Sequence, residues 1–204
     1  MSLRISFFML VSYLLTSFNV IATEQADQKL ATATFSGGCF WCMEQPFDLL
    51  PGVIKTIPGY TGGNTKDPTY KEVSSGTTGH VEAMQIIYSP SMISYEKLLE
   101  VFWRNIDPTN GNGQFCDKGN QYRAGIFYHN EEQKRLAEQS KALLEKNKPF
   151  TGSIMTFISA ATDFYPAEDK HQNFSRKNPL TYKFYRFTCG RDKRLNELWG
   201  KTND

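Results

Sequence analysis

The 204-residue chain has little net charge and few histidines, which argues against the strongly charged classes of protein. Its 23 Lys and Arg residues against 21 acidic residues leave a formal charge of +2, and it has 3 histidines. A nucleic-acid binder usually carries a dense basic face. The one tight basic cluster, Arg191, Lys193 and Arg194, encloses Asp192, and such a cluster is typical of a solvated helix face. We therefore predict no nucleic-acid partner.

Other absences narrow the fold class. The chain has no collagen-like glycine period, no charge-rich disordered composition and no sustained heptad pattern. With 40% hydrophobic and 22% charged residues, it has the balance of a globular protein, and its length suffices for a substantial core. We expect one monomeric domain that spans residues 31–204.

Long apolar runs are absent after residue 23, but the first residues form one. Arg4 is followed by an uncharged, largely apolar segment over residues 5–23, in which Val20 and Ala22 place small side chains before a cleavage site. This arrangement is typical of a secretory signal peptide. Residues 1–22 are therefore predicted to be a leader that is removed on export.

The composition of the same segment argues against a permanent membrane anchor. It carries polar side chains that transmembrane helices disfavour, namely Ser6, Ser12, Thr16, Ser17 and Asn19. We expect residues 23–30 to be a polar linker. The mature protein is then expected to be periplasmic or secreted, without stable membrane association.

Apolar periodicity predicts strands and helices that alternate without internal repeats, in an α/β or α+β organisation. Strands are predicted over residues 30–35, 80–88, 122–128 and 154–160. Helices are predicted over residues 39–50 and 95–106, after Asn130, after Pro166, and around residues 195–199. Pro46 fits the first helix only in its first turn or at a kink. Long loops are predicted over residues 58–80 and 107–120, and loops of this length are often functional.

The chain has four cysteines, Cys39, Cys42, Cys116 and Cys189. In an oxidising compartment, two structural disulfides are the simplest expectation. Cys39, however, follows a Gly-Gly pair at the start of a predicted helix, where free backbone N–H groups and the helix dipole stabilise a thiolate. Cys42 lies one turn further, close enough to bridge. A redox role and a structural bridge both remain open, whereas a zinc site is disfavoured because Cys116 and Cys189 lack CxxC partners.

A series of short motifs lies between Gly38 and Arg123. They are Gly38-Cys39-Phe40-Trp41, Gly59-Tyr-Thr-Gly-Gly63, Pro68-Thr-Tyr-Lys-Glu-Val73, Gly79-His-Val-Glu82, Phe102-Trp103, Asp107-Pro108 and Asp117-Lys-Gly-Asn-Gln-Tyr-Arg123. Their identity and order resemble the A-type methionine sulfoxide reductases, the peptide-methionine (S)-S-oxide reductases. The resemblance implies an α+β fold, a single two-layer domain with helices packed on a mixed sheet and long glycine-rich loops.

The resemblance also implies a site around Cys39, with Cys39 as nucleophile and Glu82 as general acid. Each proposed residue also has an ordinary structural explanation, such as a packed aromatic for a tyrosine or a solvated carboxylate for Glu82. Their joint presence favours the site. The residues implied to bind the substrate are Phe40, Trp41, Tyr70, Asp117 and Tyr122.

The implied reaction reduces methionine-S-sulfoxide, free or in oxidised proteins, without a metal or organic cofactor. The sulfoxide oxygen leaves only when it is protonated, so attack by a thiolate requires a nearby acid. Cys39 would become a sulfenic acid, and a second thiol would condense with it. A thioredoxin-type dithiol would then reduce the disulfide. Cys189 is narrowly preferred over Cys42 as that resolving thiol, with Cys116 third.

Two rival interpretations remain. A general thiol–disulfide oxidoreductase would use Cys39 and Cys42 but would leave Glu82 and the tyrosines without a role. A secreted binding domain would carry structural Cys39–Cys42 and Cys116–Cys189 bridges and would have no catalytic thiol.

Overall fold

The computed structural model describes residues 29–200. The predicted signal peptide and most of the predicted linker lie outside the described residues. Strands are β1 (Ala31–Ser36), β2 (Val53–Thr61), β3 (Val81–Tyr88), β4 (Gly113–Gln114), β5 (Asp117–Lys118), β6 (Gly125–Tyr128), β7 (Phe157–Ala160) and β8 (Phe164–Pro166). Helices are α1 (Phe40–Asp48), α2 (Tyr70–Ser74), α3 (Tyr95–Arg104), α4 (Glu131–Asn147), α5 (Phe174–Lys177), α6 (Pro179–Thr188) and α7 (Arg191–Trp199).

Six of the strands form one mixed sheet in the order β7-β6-β1-β3-β2-β8. Its β6–β7 pair is parallel, and the other pairs are antiparallel. The short strands β4 and β5 form a separate hairpin. Helices pack on the sheet, so the α+β single domain with a mixed sheet is confirmed.

Strand register determines which way Glu82 points. Successive side chains in a strand face opposite sides of the sheet, so Glu82 shares a face of β3 with Met84 and Ile86. Met84 and Ile86 are both fully buried in the main core, which also contains Phe40 and Phe47 of α1. Glu82 therefore faces the layer that contains α1.

Stacked aromatic rings hold the helical layer on the sheet. The ring of Phe35 in β1 lies 5.6 Å from that of Phe47 in α1 and 4.9 Å from that of Phe102 in α3. Such pairs are worth about 0.5–1.5 kcal/mol beyond the area they bury. Both helices are thus fixed to the strand that leads into Cys39.

The prediction of one long loop over residues 58–80 was wrong. Its first residues belong to β2, which pairs with β3 on one side and β8 on the other. Within the same stretch, α2 is started by a capping box in which Thr69 accepts from the Glu72 backbone N–H. Pro58 and Gly59 obscured the strand, because both residues are depleted in strands.

Two predicted boundaries also differ from the structure, and one predicted helix cap is confirmed. The strand predicted from Tyr122 begins at Gly125, because Tyr122 ends a short 3-10 turn, Asn120–Tyr122. Pro46 lies in the interior of α1 rather than in its first turn, and the helix ends two residues later at Asp48. The predicted Asn130 cap is confirmed, since its side chain accepts from the Gln133 N–H at 2.9 Å.

The basic cluster near the C-terminus is only partly solvated, which corrects the prediction for Arg191. Lys193 is exposed, but Arg191 is 1% exposed and lies beneath the turn before Cys39. Sequence spacing alone places Arg191 beside charged neighbours and gives no sign of this burial. Within the described chain, no helix combines the length and apolarity needed to cross a bilayer.

Candidate active site

A tight turn joins β1 to α1 and presents Cys39 at the start of the helix. Gly38 has φ +81°, a backbone conformation that favours glycine. A Cβ on Gly37 would lie 2.6 Å from the Met43 Sδ, so this glycine is required by close packing. Cys39 is the N-cap of α1, and no side chain caps the helix there. The Cys42 N–H donates to the Cys39 carbonyl at 3.0 Å, whereas the Phe40 N–H at the helix start is available for the site.

Glu82 uses one of these N–H groups. The Phe40 backbone N–H donates to Glu82 Oε2 at 3.0 Å, and Glu82 is 2% exposed. Burial raises the pKa of Glu82 to about 8, the Phe40 hydrogen bond opposes that rise, and the negative charge of Asp117 adds to it. Glu82 is consequently protonated at neutral pH, which is the state a general acid requires.

Cys39 and Cys42 are buried free thiols in contact with each other. Burial raises the pKa of Cys39 well above its usual value. The hydrogen bond from Cys39 lowers the pKa of Cys42 to about 7, and the charge of Arg191 acts in the same direction. In this geometry burial opposes the expected thiolate at Cys39, whereas the contact with Cys39 and the Arg191 charge favour a negative charge on Cys42.

An aromatic wall lies beside Cys39. Trp41 stacks on Phe174 at a centroid distance of 3.8 Å, and its Nε1 donates to His171 Nδ1 at 3.2 Å. The His171 ring lies 5.3 Å from Phe40 and 4.4 Å from Tyr70. Three of the predicted binding residues are therefore brought together around His171.

The two predicted tyrosine donors keep their protons. Burial raises the pKa of Tyr70 to about 12, and the nearby charge of Glu82 adds to the rise. Burial and the same charge also raise the pKa of Tyr122. Both hydroxyls therefore remain hydrogen-bond donors at neutral pH, close to Glu82 and Cys39.

Glu168 supports this side of the site. It accepts from the Tyr60 hydroxyl at 2.8 Å through Oε2 and from the Tyr70 backbone N–H at 2.9 Å through Oε1. Tyr60 is fully buried and pairs with Glu82 across β2 and β3. Glu168 thus fixes the first residue of α2, and with it the position of Tyr70.

Asp117 lies on the opposite side, near the second cysteine pair. Burial raises the pKa of Asp117, while the Tyr185 hydrogen bond and the Arg191 charge lower it. The Tyr185 hydroxyl is 2.7 Å from Asp117 Oδ1 and 2.9 Å from Oδ2. Asp117 is therefore an anchored, half-buried carboxyl rather than a free loop residue.

Cys116 and Cys189 form a disulfide across 73 residues of sequence. Of the two bridges expected for a binding domain, this one is present, whereas Cys39 and Cys42 are unbridged. Cys189, the preferred resolving residue, is not a free thiol in this state. Within residues 29–200, Cys116, Asp117 and Cys189 are also close enough to share a metal ion, but the disulfide uses both sulfurs.

Several residues of the site had no signal in the sequence. His171 and Phe174 complete the aromatic wall, Tyr185 holds Asp117, and Arg191 lies beneath the Gly37–Gly38 turn. Arg191 Nη2 donates to Gly37 O at 3.1 Å and to Asn105 O at 2.6 Å. Each of these residues comes from the last 35 or so positions, where no motif was recognised.

Glu44 explains how that C-terminal part is attached to α1. It is fully buried and accepts from the backbone N–H groups of Asn173 at 2.9 Å and Phe174 at 3.2 Å. Burial raises the pKa of Glu44 to about 7. The carboxylate thereby fixes the start of α5 against the helix that carries Cys39.

The sequence of this chain is similar to those of known proteins. The family described as peptide methionine sulfoxide reductase matches residues 31–203. A Bacillus subtilis (strain 168) protein, peptide methionine sulfoxide reductase MsrA, is 54% identical over 174 residues, which cover 85% of this chain and 98% of that protein.

Solved structures agree with the sequence match. The reduced form of Mxr1 from Saccharomyces cerevisiae has a TM-score of 0.69 and 31% identity over 74% of this chain and 87% of its own. Methionine sulfoxide reductase A of Corynebacterium diphtheriae has a TM-score of 0.66 and 31% identity over 79% of this chain and 81% of its own. The chain described here thus belongs to the peptide methionine sulfoxide reductase family.

Proposed function

We propose that the protein reduces methionine-S-sulfoxide, in oxidised proteins and as the free amino acid, with Cys39 as the nucleophile. The observation that carries the proposal is the buried Glu82 carboxyl, which is held by the Phe40 N–H at the first turn of α1. This places a protonated acid beside a buried thiol pair. A general thiol–disulfide oxidoreductase has no use for such an acid.

The aromatic wall and the tyrosines give the substrate its orientation. The sulfoxide methyl group would pack against Phe40 and Trp41, with the oxygen directed towards Glu82, Tyr70 and Tyr122. Two neutral hydroxyls and one carboxylic acid can donate to the oxygen as negative charge develops on it. A fixed methyl slot and a fixed oxygen site together select one configuration at sulfur.

Two proton transfers accompany the transfer of oxygen. The Cys39 sulfur attacks the sulfoxide sulfur, its thiol proton passes to the Cys42 thiolate, and Glu82 protonates the oxygen. The oxygen then passes from the substrate sulfur to the Cys39 sulfur: the substrate S–O bond and the transient bond between the two sulfurs break, and an S–O bond forms on Cys39, which is left as a sulfenic acid. The products are methionine and oxidised Cys39, so the substrate sulfur gains the two electrons that Cys39 loses.

Cys42 is the thiol that we propose condenses first with the sulfenic acid. Its sulfur already contacts Cys39, and its pKa of about 7 supplies a thiolate near neutral pH. Water leaves as the Cys39–Cys42 disulfide forms. This reverses the narrow preference for Cys189, whose sulfur is bonded to Cys116 here.

A thioredoxin-type dithiol is the proposed source of the electrons that reopen the disulfide. Mxr1 from Saccharomyces cerevisiae, a structural relative of this chain, has also been crystallised in complex with Trx2. Attack of the dithiol on a protein disulfide passes through a mixed disulfide. No metal ion or organic cofactor takes part in the proposed cycle.

The test is a product assay with separated S and R epimers of a methionine-sulfoxide peptide and of free methionine sulfoxide. The mature chain, residues 23–204, is assayed with dithiothreitol, and Cys39→Ser is the control. We expect reduction of both S substrates only. Reduction of a disulfide substrate with neither epimer consumed would instead identify a thiol–disulfide oxidoreductase.

We further propose that residues 1–22 are removed on export and that residues 31–204 act as one monomeric catalytic domain. The small side chains of Val20 and Ala22 before the cleavage site support this proposal. Intact-mass measurement of the exported protein should give a chain that begins at Thr23. A full-length chain retained in the cytoplasm would contradict it.

A further inference from the structure

Tyr185 lies between the nucleophile and the disulfide. Its hydroxyl is within 3 Å of both carboxylate oxygens of Asp117, at 2.7 and 2.9 Å. Its ring meets the Trp41 ring edge-on with centroids 5.7 Å apart. Tyr185 therefore contacts two of the residues proposed to form the substrate pocket, from a helix to which sequence analysis assigned no role.

The disulfide fixes the same helix. Cys189 ends α6, and its N–H donates to the Tyr185 carbonyl at 2.9 Å, one turn away. Cys116 immediately precedes Asp117, and its Sγ lies 3.9 Å from the Tyr185 hydroxyl. The bridge thus joins the residue next to Asp117 to the helical turn that carries Tyr185.

We infer that Tyr185 is a positioning residue for the sulfoxide site and that the Cys116–Cys189 bridge holds it against Asp117. The inference rests on the proposed function and adds a residue and a disulfide to it. The two short contacts of the Tyr185 hydroxyl hold the Asp117 carboxylate in place, and the charge of Asp117 adds to the burial that keeps Glu82 protonated. In this arrangement the bridge supports oxygen transfer itself and does not carry electrons.

The test measures methionine formation in a single turnover, which does not depend on any resolving thiol. Wild-type enzyme is brought to the redox state of the structure, with Cys39 and Cys42 as free thiols and the Cys116–Cys189 disulfide closed. Thiol titration verifies that state. Tyr185→Phe removes only the hydroxyl. We expect a rate about tenfold lower, as for loss of a hydrogen bond to a charged group.

Tyr182→Phe is the matched control on the same helix. The Tyr182 hydroxyl donates to Gln45 Oε1 at 2.7 Å, and its side chain is as deeply packed as a core residue. Its loss perturbs α6 without touching Asp117. We expect the oxygen-transfer rate of this variant to match that of wild type.

A double-mutant cycle tests the role of the bridge. Cys116→Ser and Cys189→Ser should each slow oxygen transfer to the same extent, about threefold, because either substitution frees α6 from the Asp117 loop. Cys116→Ser should have no further effect when Tyr185 is already phenylalanine. Additive losses would mean that the bridge does not act through Tyr185.

The pH profile tests whether the charge of Asp117 acts on Glu82. The titratable and charged groups that face Asp117 are Tyr185 from α6, Arg191 from α7, Lys118 from β5, Cys39 and Cys42 at the start of α1, Glu82 from β3, Tyr70 from α2 and Tyr122. Asp117→Asn removes the negative charge that adds to the raised pKa of Glu82, so the alkaline limb of its rate should shift towards lower pH. Tyr185→Phe keeps that charge, so its rate should fall while its alkaline limb stays at the wild-type position.

The possible outcomes separate a failure of this inference from a failure of the proposed function on which it rests. Wild type that reduces neither epimer refutes the proposed function before any variant is measured. Active wild type, with Tyr185→Phe equal to Tyr182→Phe in rate, refutes the inference alone. A slower Tyr185→Phe variant with an unshifted alkaline limb and a non-additive cycle supports it.

Discussion

Two cysteine pairs lie in the same region of the molecule, and they are in opposite states. Cys39 and Cys42 are buried thiols at the first turn of α1, 6% and 1% exposed. Cys116 and Cys189 are bonded to each other, and Cys116 is exposed. Burial and the contact between the two thiols shift the pKa values of the buried pair most, and the charges of Glu82 and Arg191 add smaller effects. The exposed pair lies against Asp117 and Tyr185, which control geometry.

From this comparison we propose that the groups around each pair, and not the number of cysteines, determine its chemistry. A thiol is useful as a nucleophile where something can take its proton and something can protonate the leaving oxygen. Only the buried pair has both partners within the described residues, in Cys42 and Glu82. The exposed bridge instead joins two distant segments and restrains them.

The largest expected effect comes from removing the nucleophile. Cys39→Ser should lower methionine formation by about 10⁴-fold or more, because the covalent step has no substitute. The measurement is single-turnover product analysis with an S-epimer peptide. Activity near that of wild type would remove Cys39 from the mechanism.

Glu82→Gln should have the next largest effect, with a loss of about 10²–10⁴-fold in kcat/KM. Because burial raises the pKa of Glu82 to about 8 and the Cys42 thiolate that accepts the Cys39 proton has a pKa of about 7, the wild-type rate should be highest between these values and fall as pH rises through about 8. The glutamine variant should lack this fall, because it has no proton to lose. A pH–rate profile measured from pH 6 to 10 checks both expectations, and an unchanged alkaline limb in the variant would exclude Glu82 as the acid.

Cys42→Ser should separate oxygen transfer from recycling. One methionine per chain should still form, more slowly because Cys42 no longer accepts the Cys39 proton. Turnover supported by a thioredoxin-type dithiol should fall by about tenfold or more, since the sulfenic acid lacks its adjacent thiol. Serine is close in size to cysteine, and Cys189→Ser is the matched comparison. Recycling lost in Cys189→Ser but kept in Cys42→Ser would reverse the assignment.

Opening the exposed bridge should have a moderate effect on stability. The disulfide spans 73 residues, and cross-links of this span contribute about 4 kcal/mol in the chain-entropy model. The Cys116→Ser and Cys189→Ser double variant should therefore unfold at lower denaturant concentration, with the core of β1, β3 and α1 intact by circular dichroism. An unchanged midpoint would mean that the C-terminal segment is held by Glu44 and Arg191 alone.

The sequence predicted the part of the site around Cys39 and Glu82 better than the C-terminal residues that pack against it. Cys39, Phe40 and Trp41 are contiguous, and the alternation around Glu82 correctly predicted its strand. The burial of Glu82 follows from the pairing of β3 with β1 and β2, which no local pattern reveals.

The C-terminal contribution could not be read from spacing. Arg191 belongs to a charged cluster that looks solvated, yet it is buried against Gly37 and Asn105. Nothing in the sequence distinguishes Tyr185 and Phe174 from other aromatic residues. Long-range packing of α5 and α6 against α1 places both rings against Trp41. The two Arg191 contacts join residues 86 and 154 positions apart, and single-sequence periodicity carries no information about such contacts.

The most direct test of the division between the two pairs is to let all four thiols compete. Fully reduced enzyme, freed of reductant, is mixed with one equivalent of an S-sulfoxide peptide, quenched early with an alkylating agent and mapped by mass spectrometry. We predict a Cys39–Cys42 disulfide within one peptide, with Cys116 and Cys189 alkylated. A Cys39–Cys189 link with Cys42 alkylated would contradict the account.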